Sequence, residues 1–388
     1  MIEDFLRPLN PDVFFNNLEY PEHSFGSVVD KYLKTLPLLS DYQIAIVGVE
    51  EDRHSGRNVG SADAPDAIRR AFYKLYNHQF NRRIVDLGNI KAGNEVEDTY
   101  FALQTVCYEL LSQNICPIIL GGSHHLTYAQ YMSYEGLDMM VDMALIDARI
   151  DLQEHEETPI GSKNFLYDIV THIDGHLFNL TQIAYQTYLV PPQTIDLLDN
   201  LFFDTLRLGE VQNDIKTIEP AMRGSDAVSF DVSAVRQSES TGNANVSPNG
   251  LYGDEICQIA RYAGISDKVS SVGFYEYNPH LDFNNQTANL VAQMMWCFID
   301  GHSNRLNDLP NQSNGGFTKY LTSVSDTNLV FYKSKRSGRW WLEVPISSTK
   351  ADQSRIHLIA CSYEDYQLAS QNQGLPDRWW RAQQKFGA

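Results

Sequence analysis

The chain has 388 residues, 43% hydrophobic and 20% charged, enough to bury one large core or two modest ones. A formal net charge of −19 without a basic patch argues against nucleic acid and anionic membrane as partners. Five scattered cysteines without C-x-x-C spacing, no apolar signal segment and no membrane-length apolar run read as a reduced, soluble cytoplasmic protein.

Residues 1–41 are polar and aromatic and read as an N-terminal arm, with a helix expected over Ser27–Leu36. Tyr42–Val49 is an almost unbroken apolar run, as in a strand covered on both faces. After a loop rich in Gly, Asn and charge, a helix is expected from Asp63 to Phe72, with Asp63 as N-cap and Pro65 in the first turn. Arg83–Gly88 reads as a strand and Asp98–Gln113 as an amphipathic helix. Ile115–Leu120 is the next strand and runs into Gly121-Gly122-Ser123-His124-His125 and a helix over Leu126–Met132.

Met143–Ile146 is a strand that leads into Asp147, Arg149 and Asp151, three charges expected on one face by strand alternation. Less regular βα units are expected around Leu180–Ala184 and Leu189–Asn200. Asp226–Val235 and Val269–Pro279 are further strands, alternating with helices over Leu251–Gly264 and Asn285–Asp300. The βα repeats predict an α/β domain over 42–305, a three-layer αβα arrangement around a mostly parallel, doubly wound sheet.

Residues 306–388 form a C-terminal extension. A loop is expected over Asn304–Gly316, then a hairpin through Phe331–Val344 with a Ser337-Gly338 turn. Four of the five tryptophans lie here, Trp340, Trp341, Trp379 and Trp380, so the tail is expected to dock on the main domain or on a partner subunit.

In an open parallel sheet, ligands bind at the carboxyl ends of the strands. Three strand ends bring metal-type residues to that edge: His124, then Asp147 and Asp151 around Arg149, then Asp231. One imidazole and three carboxylates suit Mn²⁺ or a similar divalent ion, whereas an isolated D-x-R-x-D reads more readily as a structural ion pair.

These motifs, in this order, resemble those of the arginase and ureohydrolase superfamily, whose pattern is G-G-D-H-S, D-A-H-x-D and S-x-D-x-D. Here they stand as Gly121–His125, Asp147–Asp151 and Ser229–Ser233. Asn58–Arg69, Gly250–Glu255 and Gly273–Asp282 are similar to further family segments, so the resemblance spans about 42–302, leaning to the formimidoylglutamase-like branch. It implies an arginase-like fold, a homo-oligomer and a two-manganese hydrolase of amidine C–N bonds.

By the resemblance, His124, Asp147, Asp151 and Asp231 match the ligands of the first metal. The second-metal ligands are replaced by Arg149 and Ser233, and an arginine stays protonated and cannot ligate. One divalent ion and Arg149 would balance three carboxylates; without metal, the same groups would form an ion-pair network holding at least one proton. Asp151, Glu255 and His125 are the candidate catalytic residues. Glu255, at the position of the family's substrate-binding glutamate, reads as amidine anchor or as helix-terminal acid, and His125 as proton shuttle or supporting hydrogen-bond group. Asp86, Glu276 and Asp282 lie near strand ends and could touch the site, but read more readily as caps, turn formers or subunit contacts.

Two readings follow. In the first, the chain is a degenerate ureohydrolase with at most one metal, weak or no guanidine hydrolysis, and a binding, scaffold or regulatory role. In the second, it is an active one-metal hydrolase of a small amidine or amide substrate that is not strongly cationic.

Overall fold

The structure is a computed structural model, and it describes residues 2–14, 20–78, 80–137, 139–154, 158–172, 175–310, 315–346 and 355–387. Fourteen strands run in chain order among these residues. They are β1 (Leu6–Arg7), β2 (Asp30–Lys31), β3 (Ile44–Glu50), β4 (Ile84–Lys91), β5 (Cys116–Leu120), β6 (Val141–Ile146) and β7 (Leu177–Tyr185). β8 (Asp204–Arg207), β9 (Ala227–Asp231), β10 (Ser271–Tyr275), β11 (Phe317–Val324), β12 (Thr327–Ser334), β13 (Trp340–Ile346) and β14 (Arg355–Cys361) follow.

The first ten form one sheet in the order β1-β4-β3-β5-β10-β9-β6-β7-β8, with β2 beside β4. All of its pairings are parallel except β1 with β4. The run Ile44–Val49 shows why these strands lack alternation. Ile44 and Ile46 pack with Ile68, Phe72, Ile259 and Val291, from the helices Ala64–Phe72, Gly253–Ile265 and Gln286–Ser303. Ala45, Val47 and Val49 pack with Leu103, Val106 and Leu126, from Val96–Ser112 and Leu126–Met132. Both faces are dry, so both must be apolar. The three-layer, mostly parallel architecture is the expected one.

Three local expectations are corrected. The helix expected over Ser27–Leu36 is a single turn, Phe25–Val28, after which the chain extends as β2 against Val85 and Asp86. The Tyr32 amide continues that pairing to the Asp86 carbonyl at 2.8 Å, and the Lys31 ammonium is held by the carbonyls of Gly26 and Val29, so the sheet edge overrides local helix preference. Asp63 does not cap the helix Ala64–Phe72; its carboxylate meets the His280 ring nitrogen at 2.7 Å instead. The expected hairpin is present as β12 with β13, but it does not stand alone: β11 and β14 flank it in a four-stranded antiparallel sheet. The expected loop Asn304–Gly316 lies partly outside the described residues.

This second sheet, with the helices Tyr363–Ser370 and Asp377–Gly387, has its own core of Leu329, Phe331, Trp340, Leu342, Val344 and Trp379. It docks on the main domain at the amino ends of the parallel strands. Arg223, just before β9, donates to the carbonyls of Trp340 (2.7 Å) and Cys361 (2.9 Å) and lies 4.6 Å from the Trp341 ring. Arg381 donates to the Phe203 carbonyl, just before β8, at 2.8 Å, and Trp380 meets Phe202 edge to face. Among the described residues no helix is long and apolar enough to cross a membrane.

One buried histidine gives the fold a measurable acid sensitivity. His302, in the last turn of Gln286–Ser303, accepts from the Arg82 Nε at 3.1 Å. Burial, reinforced by Arg305 and Arg82, pushes its pKa down to about 2. The unfolded chain binds a proton below about pH 6.5 while the folded chain does not, so this residue lowers stability as pH falls through that window. Relative to His302→Gln, the wild type is expected to lose about 1.4 kcal/mol per pH unit below pH 6.5. Urea unfolding of both proteins at pH 7 and pH 5 checks this; an unchanged gap would mean that the folded state protonates His302 as readily as the unfolded one.

Candidate metal centre

Four adjacent strands, β5, β10, β9 and β6, build the site at their carboxyl ends. The register sets its level, with Phe274 opposite Leu120, Tyr275 opposite Asp231 and Ile146 opposite Phe230. The residues that follow therefore emerge side by side: Glu276 after β10, the Gly-Gly-Ser-His-His turn after β5, and Asp147 after β6.

That turn depends on its glycines. Gly121 and Gly122 both have φ of +76°, a left-handed conformation that disfavours side chains. A Cβ on Gly122 would also lie 2.7 Å from the Glu51 carbonyl oxygen. Glu276 clamps the turn from β10: its carboxylate accepts from the His124 amide (2.7 Å), the Ser123 hydroxyl (2.9 Å) and the Asn58 amide group (2.7 Å). Glu276 itself is held at φ +64°, an unfavourable conformation for a side-chain-bearing residue. Of the alternatives it is the one that touches the site, holding the turn that carries His124. Its left-handed backbone was the missing signal, and that is invisible in sequence.

His124, Asp147, Asp151 and Asp231 come together as expected, with their ligand atoms within 4.8 Å of one another. The His124 Nδ1 lies 3.5 Å from Asp147, 3.4 Å from Asp151 and 3.5 Å from Asp231. It is buried without a hydrogen-bond partner, while Nε2 lies 3.0 Å from the Ser229 hydroxyl, which also bonds Thr127. When Nε2–H donates to the Ser229 hydroxyl, the Nδ1 lone pair faces the three carboxylates, which is the tautomer a metal ligand requires. An orphaned ring nitrogen facing three carboxylate oxygens fits one divalent cation.

The convergence does not arise from strand alternation. β6 stops at Ile146, and Asp147 and Asp151 reach the cluster from the irregular turn beyond it. Arg149 is half-buried on the same small cavity of about 40 Å³, but among the described residues no ion pair joins it to the cluster carboxylates. Among the described residues its guanidinium hydrogen-bonds the Asn245 carbonyl, at 3.4 Å, and its backbone amide donates to Asp147 at 2.9 Å. Ser233 donates its hydroxyl to Asp147 at 3.2 Å and its amide to Asp231 at 2.6 Å. Both replaced ligand positions therefore flank the site.

With protons as the only cations, burial pushes the Asp151 carboxyl up to about 7, helped by the Asp147 charge. Burial, then Asp147, also raises Asp231 well above the ordinary range. Burial opposes a charged His124, but the carboxylates outweigh it and raise the imidazole, and His124 in turn holds Asp147 low against its own burial. A divalent ion must displace protons here. Mn²⁺ affinity is accordingly expected to fall as pH drops from 8 to 6, by about tenfold per pH unit for each proton displaced. Calorimetric titrations across that range check this, and a flat profile would contradict the proton count.

The other candidates lie differently. Glu255 caps its own helix, its carboxylate accepting from the Tyr252 amide (2.8 Å) and the Gln212 side chain (3.2 Å), and it does not line the cluster cavity. His125 is buried, with Nδ1 2.8 Å from the Tyr100 hydroxyl and its ring 5.9 Å from that of His54. Burial pushes its pKa down to about 3, so it is neutral at pH 7, and it too is absent from the cavity wall. The supporting role, not the shuttle, matches this placement. Asp282 caps the helix Gln286–Ser303 through the amides of Thr287 and Ala288, both at 3.0 Å. Asp86 is a buried ion-pair partner of Arg69.

Comparison with known proteins agrees with this geometry. The sequence pattern of the Arginase family matches residues 42–300. The formimidoylglutamase of Staphylococcus haemolyticus (strain JCSC1435) is 27% identical over 260 residues, 65% of this chain and 82% of that protein. In fold, the chain is similar to Trypanosoma cruzi formiminoglutamase with Mn²⁺₂ (TM-score 0.67, 18% identity, 74% of this chain and 100% of that one). It is also similar to the formimidoylglutamase of Bacillus subtilis (TM-score 0.63, 19% identity, 75% of this chain and 98% of that one).

Proposed function

The chain belongs to the arginase family, and from that premise we propose that it is a ureohydrolase-fold protein that holds one Mn²⁺ or similar divalent ion and serves in binding, scaffolding or regulation. His124, Asp147, Asp151 and Asp231 would hold the ion. The observation that carries this reading is the one four-residue cluster among the described residues, with Arg149 and Ser233 beside it where a second ion would need a neutral imidazole and a carboxylate.

In a dinuclear site two ions share the attacking hydroxide and lower its pKa together. Here the bound ion would supply Lewis acidity from one side only. Arg149 offers hydrogen bonds and positive charge but no coordination. His125 is neutral, off the cavity wall, and hydrogen-bonded to the Tyr100 hydroxyl instead. Glu255 is occupied as a helix cap. The residues therefore support binding far better than efficient hydrolysis of guanidines.

The test is elemental analysis of the purified protein after Mn²⁺ incubation, together with turnover assays. One ion per chain and negligible release of urea or formamide from arginine, agmatine, guanidinobutyrate and formimidoylglutamate are expected. No bound metal would sink the metal-site reading. Product release at ordinary enzymatic rates would replace this proposal with an active hydrolase in the same fold.

A further inference from the structure

We propose that Cys257 and Cys297 form a redox-active dithiol, which a low-molecular-weight disulfide entering a neighbouring surface cavity oxidises to an intramolecular disulfide. Neither residue belongs to the metal cluster. Helical periodicity places both thiols where two helices meet. The helices Gly253–Ile265 and Gln286–Ser303 are in contact at both ends. A Cβ on Gly253 would lie 3.3 Å from Leu290, and one on Gly264 would collide with the Phe298 carbonyl oxygen and lie 3.0 Å from the Gly301 Cα. Cys257 precedes Gly264 by two turns and Cys297 precedes Gly301 by one, so each lies on the side of its helix that makes the close contact. A disulfide needs Cα atoms within roughly 7 Å, which only closely packed helices reach. The Cys257 thiol already hydrogen-bonds the Cys297 sulfur.

Access is the second observation. Both cysteines line a cavity of about 920 Å³, within the range of roughly 300–1,000 Å³ usual for small-molecule sites. The exposed Asn289 and Gln293 and the half-buried Trp296 and Cys297 fall on one stripe of the second helix and form its wall. Side-chain amides and an indole suit a small organic or peptidic disulfide. The other three cysteines, Cys107, Cys116 and Cys361, are buried. Burial pushes all three thiols up, that of Cys116 to about 11, so they stay protonated and out of reach. Among the described residues no third ligand completes a metal set around the pair, which leaves thiol exchange as its chemistry.

The pair is also polarised. The hydrogen bond from Cys257 holds the Cys297 thiol below its ordinary range, against burial and the nearby Asp300, and the same bond raises Cys257. Cys297 is therefore the attacking thiolate and Cys257 the resolving thiol.

In the first step the Cys297 thiolate attacks one sulfur of the small disulfide, forming a mixed disulfide and expelling one thiolate. Cys257 then loses its proton, attacks the Cys297 sulfur and expels the second thiolate. Two cysteine thiols are oxidised to one disulfide, the small disulfide is reduced to two thiols, and the two cysteine protons end on them.

The test treats the full-length protein with oxidised glutathione, alkylates the remaining thiols and maps the unreduced digest by mass spectrometry. Loss of two thiols per chain, one linked peptide pair joining Cys257 to Cys297, and reversal by dithiothreitol are expected. Cys257→Ser is expected to stop at a stable glutathione adduct on Cys297, and Cys297→Ser to react at least about tenfold more slowly than Cys257→Ser. Both thiols still free after treatment, a lasting glutathione adduct in the wild type without the link, or linkage through Cys107, Cys116 or Cys361 would each overturn the proposal. Equal rates in the two variants would overturn the assigned order of attack. The link is expected to form equally with and without bound Mn²⁺, so its failure and the failure of the metal reading are told apart on the same samples.

Discussion

Arg149→His combined with Ser233→Asp is expected to raise bound Mn²⁺ from one to two ions per chain. In the wild type, three cluster carboxylates face one divalent ion and the nearby Arg149 charge, a sum of zero. The double variant has four carboxylates and no arginine, so a single ion leaves two negative charges uncompensated in a buried site, and a second ion restores neutrality. Geometry favours the change, because the Ser233 hydroxyl already lies 3.2 Å from Asp147 and its amide 2.6 Å from Asp231. A carboxylate at that position would share the neighbourhood of Asp147 and Asp231. The single variants separate the contributions. Ser233→Asp alone leaves one negative charge uncompensated, short of what a second divalent ion would balance while Arg149 remains and cannot ligate, and should stay at one ion. Elemental analysis after Mn²⁺ incubation and desalting decides the matter; a double variant still at one ion would show that more than two side chains separate this site from a dinuclear one.

Arg69→Met is expected to cost about 3–5 kcal/mol of stability, because it strips a buried carboxylate of its main partner. Arg69 is fully buried in the helix Ala64–Phe72. It donates to Asp86 through Nε (2.8 Å) and Nη2 (2.9 Å) and to the Gly88 carbonyl (2.8 Å). The Tyr73 hydroxyl also donates to Asp86, at 2.7 Å. These bonds brace the irregular stretch where the pairing of β3 with β4 shifts register between Ile46 and Gly48. Replacing both partners by apolar residues, Arg69→Met with Asp86→Leu, should recover a substantial part of the loss, since no unpaired charge then remains. Urea denaturation of the three proteins checks this. A single variant within about 1 kcal/mol of wild type would mean that the pair is solvated well enough to behave like a surface ion pair.

Arg69 also shows what a sequence pattern does and does not reveal. It closes the segment Asn58–Arg69, which resembles a further family segment. In the fold its parts serve different ends. Asn58 donates to Glu276 and so reaches the site at one remove, Ala64 and Pro65 abut Gly121, and Arg69 is structural. The shared pattern marks a common scaffold as much as common chemistry.

The sequence alone determined the architecture and the site's chemical identity. Unbroken apolar runs such as Ile44–Val49 can only be covered on both faces, and βα repeats then require a parallel sheet. The order of Gly121–His125, Asp147–Asp151 and Ser229–Ser233 names four converging residues, because strand ends in such a sheet share one edge. These are local properties, carried by period and residue type.

Tertiary structure decided whatever depends on contacts between distant positions. Glu276 binds the His124 amide across 152 residues, in a backbone conformation no composition announces. Arg149 was expected to neutralise the carboxylates, but the turn after β6 carries it to the cavity wall without an ion pair to them. The extension turned out to be a second sheet docked at the amino ends of the parallel strands, the edge opposite the metal cluster. Charge and hydrophobicity say which groups need partners; only the fold says which partners are within reach.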